Sequence, residues 1–231
     1  MKISLAGMKS RALPLLALAA AINMAAGVWL VVTELGRTSD LLTMYVWSRM
    51  WLFSGENLYT ANALTDYPPN AIIAFSPLAF LGGGWVVPVW TVVGLALAPA
   101  LPYVATRVAS IDRRMPAAVP VLLVMCWAAS RMLVQFSVLS LTLALAALVL
   151  AERRPVAGGM CLGLALAKPH IAGPVVLCVL LARRWRVVAV AAAVVAFGWI
   201  LYSVRAHVDP WTTLVGYSTI LTTMFSGSDA M

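Results

Sequence analysis

The chain has 231 residues, of which 63% are hydrophobic and only 10% charged, and its formal net charge is +8. Soluble domains carry about 25% charged residues, so this composition excludes an ordinary soluble domain and indicates a protein whose partner is the lipid bilayer. The positive charge does not indicate a nucleic-acid partner, because the basic residues occur in short groups between apolar runs, as they do in the loops of membrane proteins.

The first apolar run, residues 12–33, follows the basic residues Lys2, Lys9 and Arg11. The apolar core of a signal peptide has about 7–15 residues, whereas a run of about 20 residues is long enough to cross a bilayer. We therefore predict an uncleaved first transmembrane helix with a cytoplasmic N-terminus.

The next segment, residues 34–70, is polar and aromatic and is predicted to form the first external loop. Residues 41–53 within this segment are predicted to form a helix, which Gly55 would end. Trp47, Trp51 and neighbouring aromatic residues favour the membrane–water boundary. We expect this helix to lie along the outer membrane surface.

The rest of the chain alternates between apolar runs and short basic groups. Residues 71–81 are too short to span and are interrupted by Pro77, so we predict a partial helix there. Six further crossings are predicted at residues 84–106, 116–130, 136–151, 155–167, 171–182 and 187–204. This arrangement places most Lys and Arg residues on the cytoplasmic side.

The predicted fold is therefore all-α, a polytopic transmembrane helical bundle that occupies residues 1–204 of a multi-pass protein of the cell membrane. Residues 205–231 are predicted to form a truncated external tail. The hairpin over residues 155–182 has an alternative, one helix kinked at Pro169, which would invert the orientation of everything after it.

Two features of the external loop are candidates for chemistry. Asp40 could act as a general base that deprotonates an acceptor hydroxyl, or it could cap the surface helix, and the sequence leaves both roles open. Tyr67, which precedes Pro68 and Pro69, could line a rigid substrate pocket, although the same residues are typical of a turn that starts a helix.

Cationic and amide side chains near the predicted outer boundary could bind a phosphate or a sugar. Arg131 and Gln135 are four residues apart and would share one helix face, although Arg131 could simply extend to the interface. Lys168 interrupts an apolar region, where a charge costs about 2.5–3.5 kcal/mol at mid-membrane, so a phosphate-binding role is favoured. His170 could bind substrate, transfer protons or serve as a polar turn residue.

The sequence contains no metal-ligand spacing and no nucleotide-binding glycine loop. No metal site or cofactor is therefore predicted, and a requirement for a divalent metal stays open. The missing nucleotide motif argues against ATP or a nucleotide-sugar as the direct reactant.

Three stretches in order resemble one known family. They are LLTMYVWSRMWLFSGENLY after Ser39-Asp40, DYPPNAIIAFSPLAFL, and the run from LVQFSVLSLTL to LLARRWR. They resemble glycosyltransferase family 87, integral membrane enzymes of the GT-C superfamily similar to polyprenyl-phosphate-mannose-dependent mannosyltransferases. In the family pattern an acidic residue opens the first external loop and a tyrosine follows, which match Asp40 and Tyr45.

The later elements of the family pattern match in part. A Tyr-Pro-Pro element matches at Tyr67, and a Lys-Pro element matches at Lys168. A Gly-Gln element matches at Gln135, but Val134 replaces its glycine. Family members are usually longer, so the chain is expected to be a short or truncated member.

The resemblance implies a glycosyltransferase that moves a mannose-like sugar from a polyprenyl-phosphate donor to a glycolipid or glycan acceptor at the extracytoplasmic face. Asp40 would be the catalytic base, and the substrate-binding residues would be Tyr45, Tyr67, Arg131, Gln135, Lys168 and His170. The alternatives are a small membrane transporter or permease, whose charges would line a path between both faces, and a truncated membrane protein without catalysis.

Overall fold

The computed structural model describes residues 40–61, 65–108 and 136–226, together with positions 18, 21, 22, 25 and 29. Every regular element in these ranges is helical, which confirms the all-α class. The α-helices are α1 (Asp40–Arg49), α2 (Leu58–Ala61), α3 (Pro69–Phe75), α4 (Gly83–Val108), α5 (Ser137–Leu150), α6 (Pro155–Ala165), α7 (Pro169–Leu181), α8 (Trp185–Arg205) and α9 (Pro210–Ser226).

The predicted helices have counterparts wherever the chain is described. The segments 84–106, 136–151, 155–167, 171–182 and 187–204 correspond to α4, α5, α6, α7 and α8. Helix 116–130 lies outside the described residues, and the five described positions of helix 12–33 are helical. A short turn at residues 166–168 separates α6 from α7, in which Lys168 N donates to Ala165 O at 3.1 Å.

The partial helix predicted at 71–81 begins earlier, since Pro69 occupies the first turn of α3, where proline costs no hydrogen bond. A 3-10 turn, Ser76–Phe80, follows α3. The segment Pro69–Phe80 then meets the first part of α4 at an angle of 116°.

Among the described residues, one helix, Trp185–Arg205, is long and apolar enough to cross a membrane, and the bent pair of α3 and α4 would make a second if it counts as one span. The helices α5, α6 and α7 are apolar but shorter, with 14, 11 and 13 residues. The seven-crossing topology therefore stays a prediction.

The helix predicted at 41–53 is observed as α1 followed by a π-helical turn, Met50–Ser54, and its position along the outer membrane surface stays a prediction. Gly55 ends it with a positive φ of 70°, a conformation that glycine adopts without a steric penalty. The helix also packs on the protein, because Leu41 and Met44 are fully buried.

Helix α8 anchors the segment of residues 40–61. Trp51 Nε1 donates to the carbonyl of Tyr202 at 3.0 Å, and the amide of Leu58 donates to the Tyr202 hydroxyl at 2.8 Å. Arg205 donates to the carbonyls of Leu52 and Phe53, each at 3.0 Å. The segment of residues 40–61, which begins with the candidate carboxylate, is thus fixed to α8.

Small residues on α6 allow it to pack closely against α8. Gly159 and Gly163 lie one turn apart on α6 and face α8, so a Cβ at Gly163 would stand 2.6 Å from Val194 Cβ. Such small-x-x-x-small faces let two backbones approach in a membrane setting.

The segment predicted as a tail, residues 205–231, contains the 17-residue helix α9. Tyr217 of α9 packs edge-on against Tyr59 and Trp199, with ring centroids 5.7 and 5.8 Å apart. This part of the segment is therefore folded against the rest of the chain.

Candidate functional site

Three of the predicted site residues meet at one polar cluster, formed by Asp40, Tyr67 and Lys168. Lys168 Nζ lies 2.9 Å from Asp40 Oδ2, and the Tyr67 hydroxyl donates to the same oxygen at 2.8 Å. The Lys168 ammonium also lies 5.4 Å from the centre of the Tyr67 ring. One carboxylate oxygen therefore accepts two charge-assisted hydrogen bonds.

The local sequence holds each member of the cluster in place. Asp40 opens α1, and Lys168 immediately precedes Pro169, the first residue of α7. Tyr67 precedes Pro68, whose φ of −71° and ψ of 157° keep the chain extended before α3 begins. The Tyr67 ring then packs edge-on against Phe136, at a centroid distance of 6.3 Å.

The two charged partners differ in exposure. The Lys168 side chain is only 6% exposed, whereas the Asp40 side chain is 38% exposed. A buried ammonium is costly unless it is paired, so the Asp40 carboxylate stabilises Lys168 in this position. The exposed part of Asp40 leaves the carboxylate accessible from outside the helices.

Opposing effects act on the pKa of Asp40. Burial raises this pKa. The hydrogen bonds from Lys168 and Tyr67 and the charge of Lys168 lower it, and together they outweigh burial, so the pKa lies below its ordinary value. The carboxylate is therefore ionised at neutral pH.

Asp66, next to Tyr67 in the chain, has the opposite behaviour. Burial and the negative charge of Asp40 raise its pKa, and the charges of Lys168 and His170 only partly offset this. The two carboxylates thus belong to one electrostatic system. Sequence reasoning gave Asp66 no chemical role, since nothing local distinguishes it.

Sequence reasoning also missed Ser137, the first residue of α5. The Lys168 ammonium donates to Ser137 Oγ at 3.2 Å. A serine in an apolar run carries no signal of this kind, because its role depends on a contact between residues 31 positions apart.

The remaining predicted site residues lie elsewhere. The Tyr45 hydroxyl donates to the carbonyl of Leu81 at 3.0 Å and accepts from Arg49, so it holds the turn before α4. The exposed His170 follows Lys168 by two positions and acts electrostatically on Asp66. Arg131 and Gln135 lie outside the described residues.

Metal ligands do not converge in the part of the chain that the structure describes. No group of three or more His, Cys, Asp or Glu residues there is arranged to hold an ion.

The fold and the cluster define an all-α protein with an apolar helix long enough to cross a membrane and a buried ammonium–carboxylate pair. The chain belongs to glycosyltransferase family 87, whose model matches residues 65–230, and the predicted family is thereby confirmed. Comparisons with curated proteins and with solved structures give no match.

The matched region starts later and ends later than the three quoted stretches. It contains Tyr67, Lys168 and His170, whereas Asp40 and Tyr45 precede it. Asp40 is joined to the matched region through its contacts with Tyr67 and Lys168.

Proposed function

We propose that this glycosyltransferase moves a mannose-like sugar from a polyprenyl-phosphate donor to an acceptor hydroxyl at the extracytoplasmic face of the membrane. Membership of family 87 supports the class of enzyme. The observation that carries the finer proposal is the contact between Lys168 and Asp40, which places a buried cation beside a partly exposed carboxylate.

Asp40 is the proposed general base. It accepts the proton of the acceptor hydroxyl while that oxygen attacks the anomeric carbon of the donor sugar. The bond from the anomeric carbon to the phosphate oxygen breaks, its electron pair leaves with the phosphate, and the anomeric configuration inverts. A carboxylate that is ionised at neutral pH and reachable from outside suits this step.

Lys168 is the proposed partner of the donor phosphate. The leaving phosphate gains negative charge as the glycosidic bond breaks, and a cation placed beforehand stabilises that charge with little reorganisation. Tyr67 would orient the carboxylate through its 2.8 Å hydrogen bond. In this proposal Arg131, Gln135 and His170 contact the donor head group or the acceptor.

The distribution of buried charge favours transfer over transport. A transporter needs ionisable side chains along a path between both faces of the membrane. Among the described residues, the charged residue that is buried is Lys168, and its ionic partner is the partly exposed Asp40. One charged centre in the described part of the chain fits one reaction site.

The test is sugar transfer by the full-length protein in lipid nanodiscs, with radiolabelled polyprenyl-phosphate mannose as donor and membrane glycolipids as acceptors. Asp40→Asn removes the base and nearly preserves shape, so transfer should fall by about 100-fold or more. Transfer by Asp40→Asn at the wild-type rate would exclude Asp40 as the base.

Asp209→Asn is the matched control. Asp209 accepts a hydrogen bond from the amide of Thr212 at the start of α9, and asparagine caps helices about as well as aspartate. This variant should transfer sugar at the wild-type rate. Absence of transfer by the wild-type protein with this donor would contradict the donor class.

A further inference from the structure

The ammonium of Lys168 contacts the proposed base, Asp40. The ammonium donates to Asp40 Oδ2 at 2.9 Å and to Ser137 Oγ at 3.2 Å. The Tyr67 hydroxyl donates to the same Asp40 oxygen. A carboxylate held in this way is a poor proton acceptor, since protonation would cost it an ionic bond. This arrangement therefore makes Asp40 a weaker base.

A donor phosphate would compete directly for Lys168. The donor head group is an anion. Lys168 is only 5% exposed, so its ammonium needs an anionic partner. If the phosphate binds beside Lys168, the cation can exchange one anion for another without becoming unpaired.

Ser137 gives this exchange a fixed pivot. Its hydroxyl lies on α5, whereas Asp40 lies on α1, so the ammonium can keep its bond to Ser137 while its bond to Asp40 breaks. Lysine suits such a change, because its ammonium is a point charge on a flexible stem with three rotatable donors.

We propose that Lys168 is a donor-sensing residue, which pairs with Asp40 in the resting enzyme and moves to the donor phosphate when the donor binds, so that Asp40 becomes free to accept the acceptor proton. The inference rests on the proposed function, because it assumes a donor with a lipid-linked phosphate. It adds an order of events, in which the donor binds first and activates the base.

Within the described part of the chain, the charged and titratable groups that act on Asp40 are Lys168, Tyr67 and Asp66, and His170 acts on Asp66. Loss of the ammonium from this set leaves Asp40 beside another carboxylate and a phenol. Because an adjacent cation lowers a carboxyl pKa by about 1–3 units, departure of Lys168 should make Asp40 titrate at clearly higher pH.

Labelling of Asp40 by dicyclohexylcarbodiimide measures this without sugar transfer. The reagent reacts with the protonated carboxyl, and peptide mass spectrometry gives the pH at which Asp40 labelling is half-maximal. In the full chain in nanodiscs, polyprenyl phosphate should raise this pH by about 1 unit or more, and polyprenol, which lacks the phosphate, should leave it unchanged. The midpoint is informative even if the bound lipid slows labelling.

Variants separate Lys168 from the other partner of the same oxygen. Lys168→Gln should give a high midpoint that polyprenyl phosphate hardly changes, and Lys168→Arg should restore the lipid-dependent rise. Tyr67→Phe should raise the midpoint with and without lipid and keep the rise. A rise that persists in Lys168→Gln, or disappears in Tyr67→Phe, would overturn the role of Lys168.

Binding of radiolabelled polyprenyl phosphate to the immobilised protein distinguishes the two levels of proposal. Binding without a change in the Asp40 midpoint would overturn the exchange and leave the proposed function intact. Failure to bind would overturn both, since neither the donor class nor the exchange survives without a phosphate site.

Discussion

Lys168 and Asp40 are 128 positions apart in the chain, yet their side chains contact each other at 2.9 Å. The contact joins the first residue of α1 to the turn between α6 and α7. It therefore ties the position of the proposed base to the packing of the helical core, and changes in either part should be measurable at the other.

Tyr67→Phe tests the second hydrogen bond to Asp40. The variant keeps the ring contacts with Trp47 and Phe136 but removes the hydroxyl that donates to Asp40. Loss of this bond should raise the pKa of Asp40, so the acidic limb of the transfer rate should move up by about 1 pH unit or less. The pH profile of transfer measures the shift, and an unchanged acidic limb would contradict the role of Tyr67.

Asp66→Asn tests the other carboxylate through stability. Because the folded-state pKa of Asp66 is raised, its ionised form opposes folding at neutral pH and its protonated form does not. The variant should therefore unfold at a higher temperature than the wild type at pH 7, and the difference should shrink as the pH falls to the ordinary value of 3.8 and below. A difference that grows on acidification would contradict the sign of this effect.

Gly163→Ala tests the close packing of α6 on α8. The new Cβ would stand 2.6 Å from Val194 Cβ and 3.1 Å from the carbonyl oxygen of Ala191. Overpacking of this kind costs about 1–3 kcal/mol, so the unfolding temperature should fall.

Gly173→Ala is the control for Gly163→Ala. Nothing lies within 4 Å of a Cβ at Gly173, which is inside α7. Alanine is favoured over glycine in a helix by about 0.5–1 kcal/mol, so this variant should be as stable as the wild type or more stable. Equal losses in both variants would exclude a specific contact at Gly163.

Tyr202→Phe tests the hydrogen bond that joins α8 to the segment of residues 40–61. Tyr202 is fully buried, and its hydroxyl accepts a 2.8 Å hydrogen bond from the amide of Leu58. A buried amide left without its partner costs about 1–3 kcal/mol, which denaturant unfolding should detect. Tyr103→Phe removes an exposed hydroxyl that accepts from Arg107 and should change stability by less than about 0.5 kcal/mol.

Local sequence patterns were sufficient to predict the helices and to select the candidate residues. Apolar runs predicted helices that the structure begins or ends within a few residues of the expected bounds, as for α5 and α8, because hydropathy and chain breakers act within a few residues. The isolated charge at Lys168 was recognised because an unpaired ammonium is costly in apolar surroundings.

The sequence by itself determined the all-α class and the family. It was also sufficient to select Asp40, Tyr67 and Lys168 as candidate site residues. Only the tertiary structure decided that Tyr67 and Lys168 both donate to one oxygen of Asp40. It also decided that Lys168 contacts Ser137 and that Tyr45 instead donates to the turn before α4. The physical reason is that alanine, valine and leucine repeat in every apolar run, so many helix pairings satisfy the same hydropathy. The pairing that forms depends on a few specific contacts, such as the face of Gly159 and Gly163, which bring distant residues together.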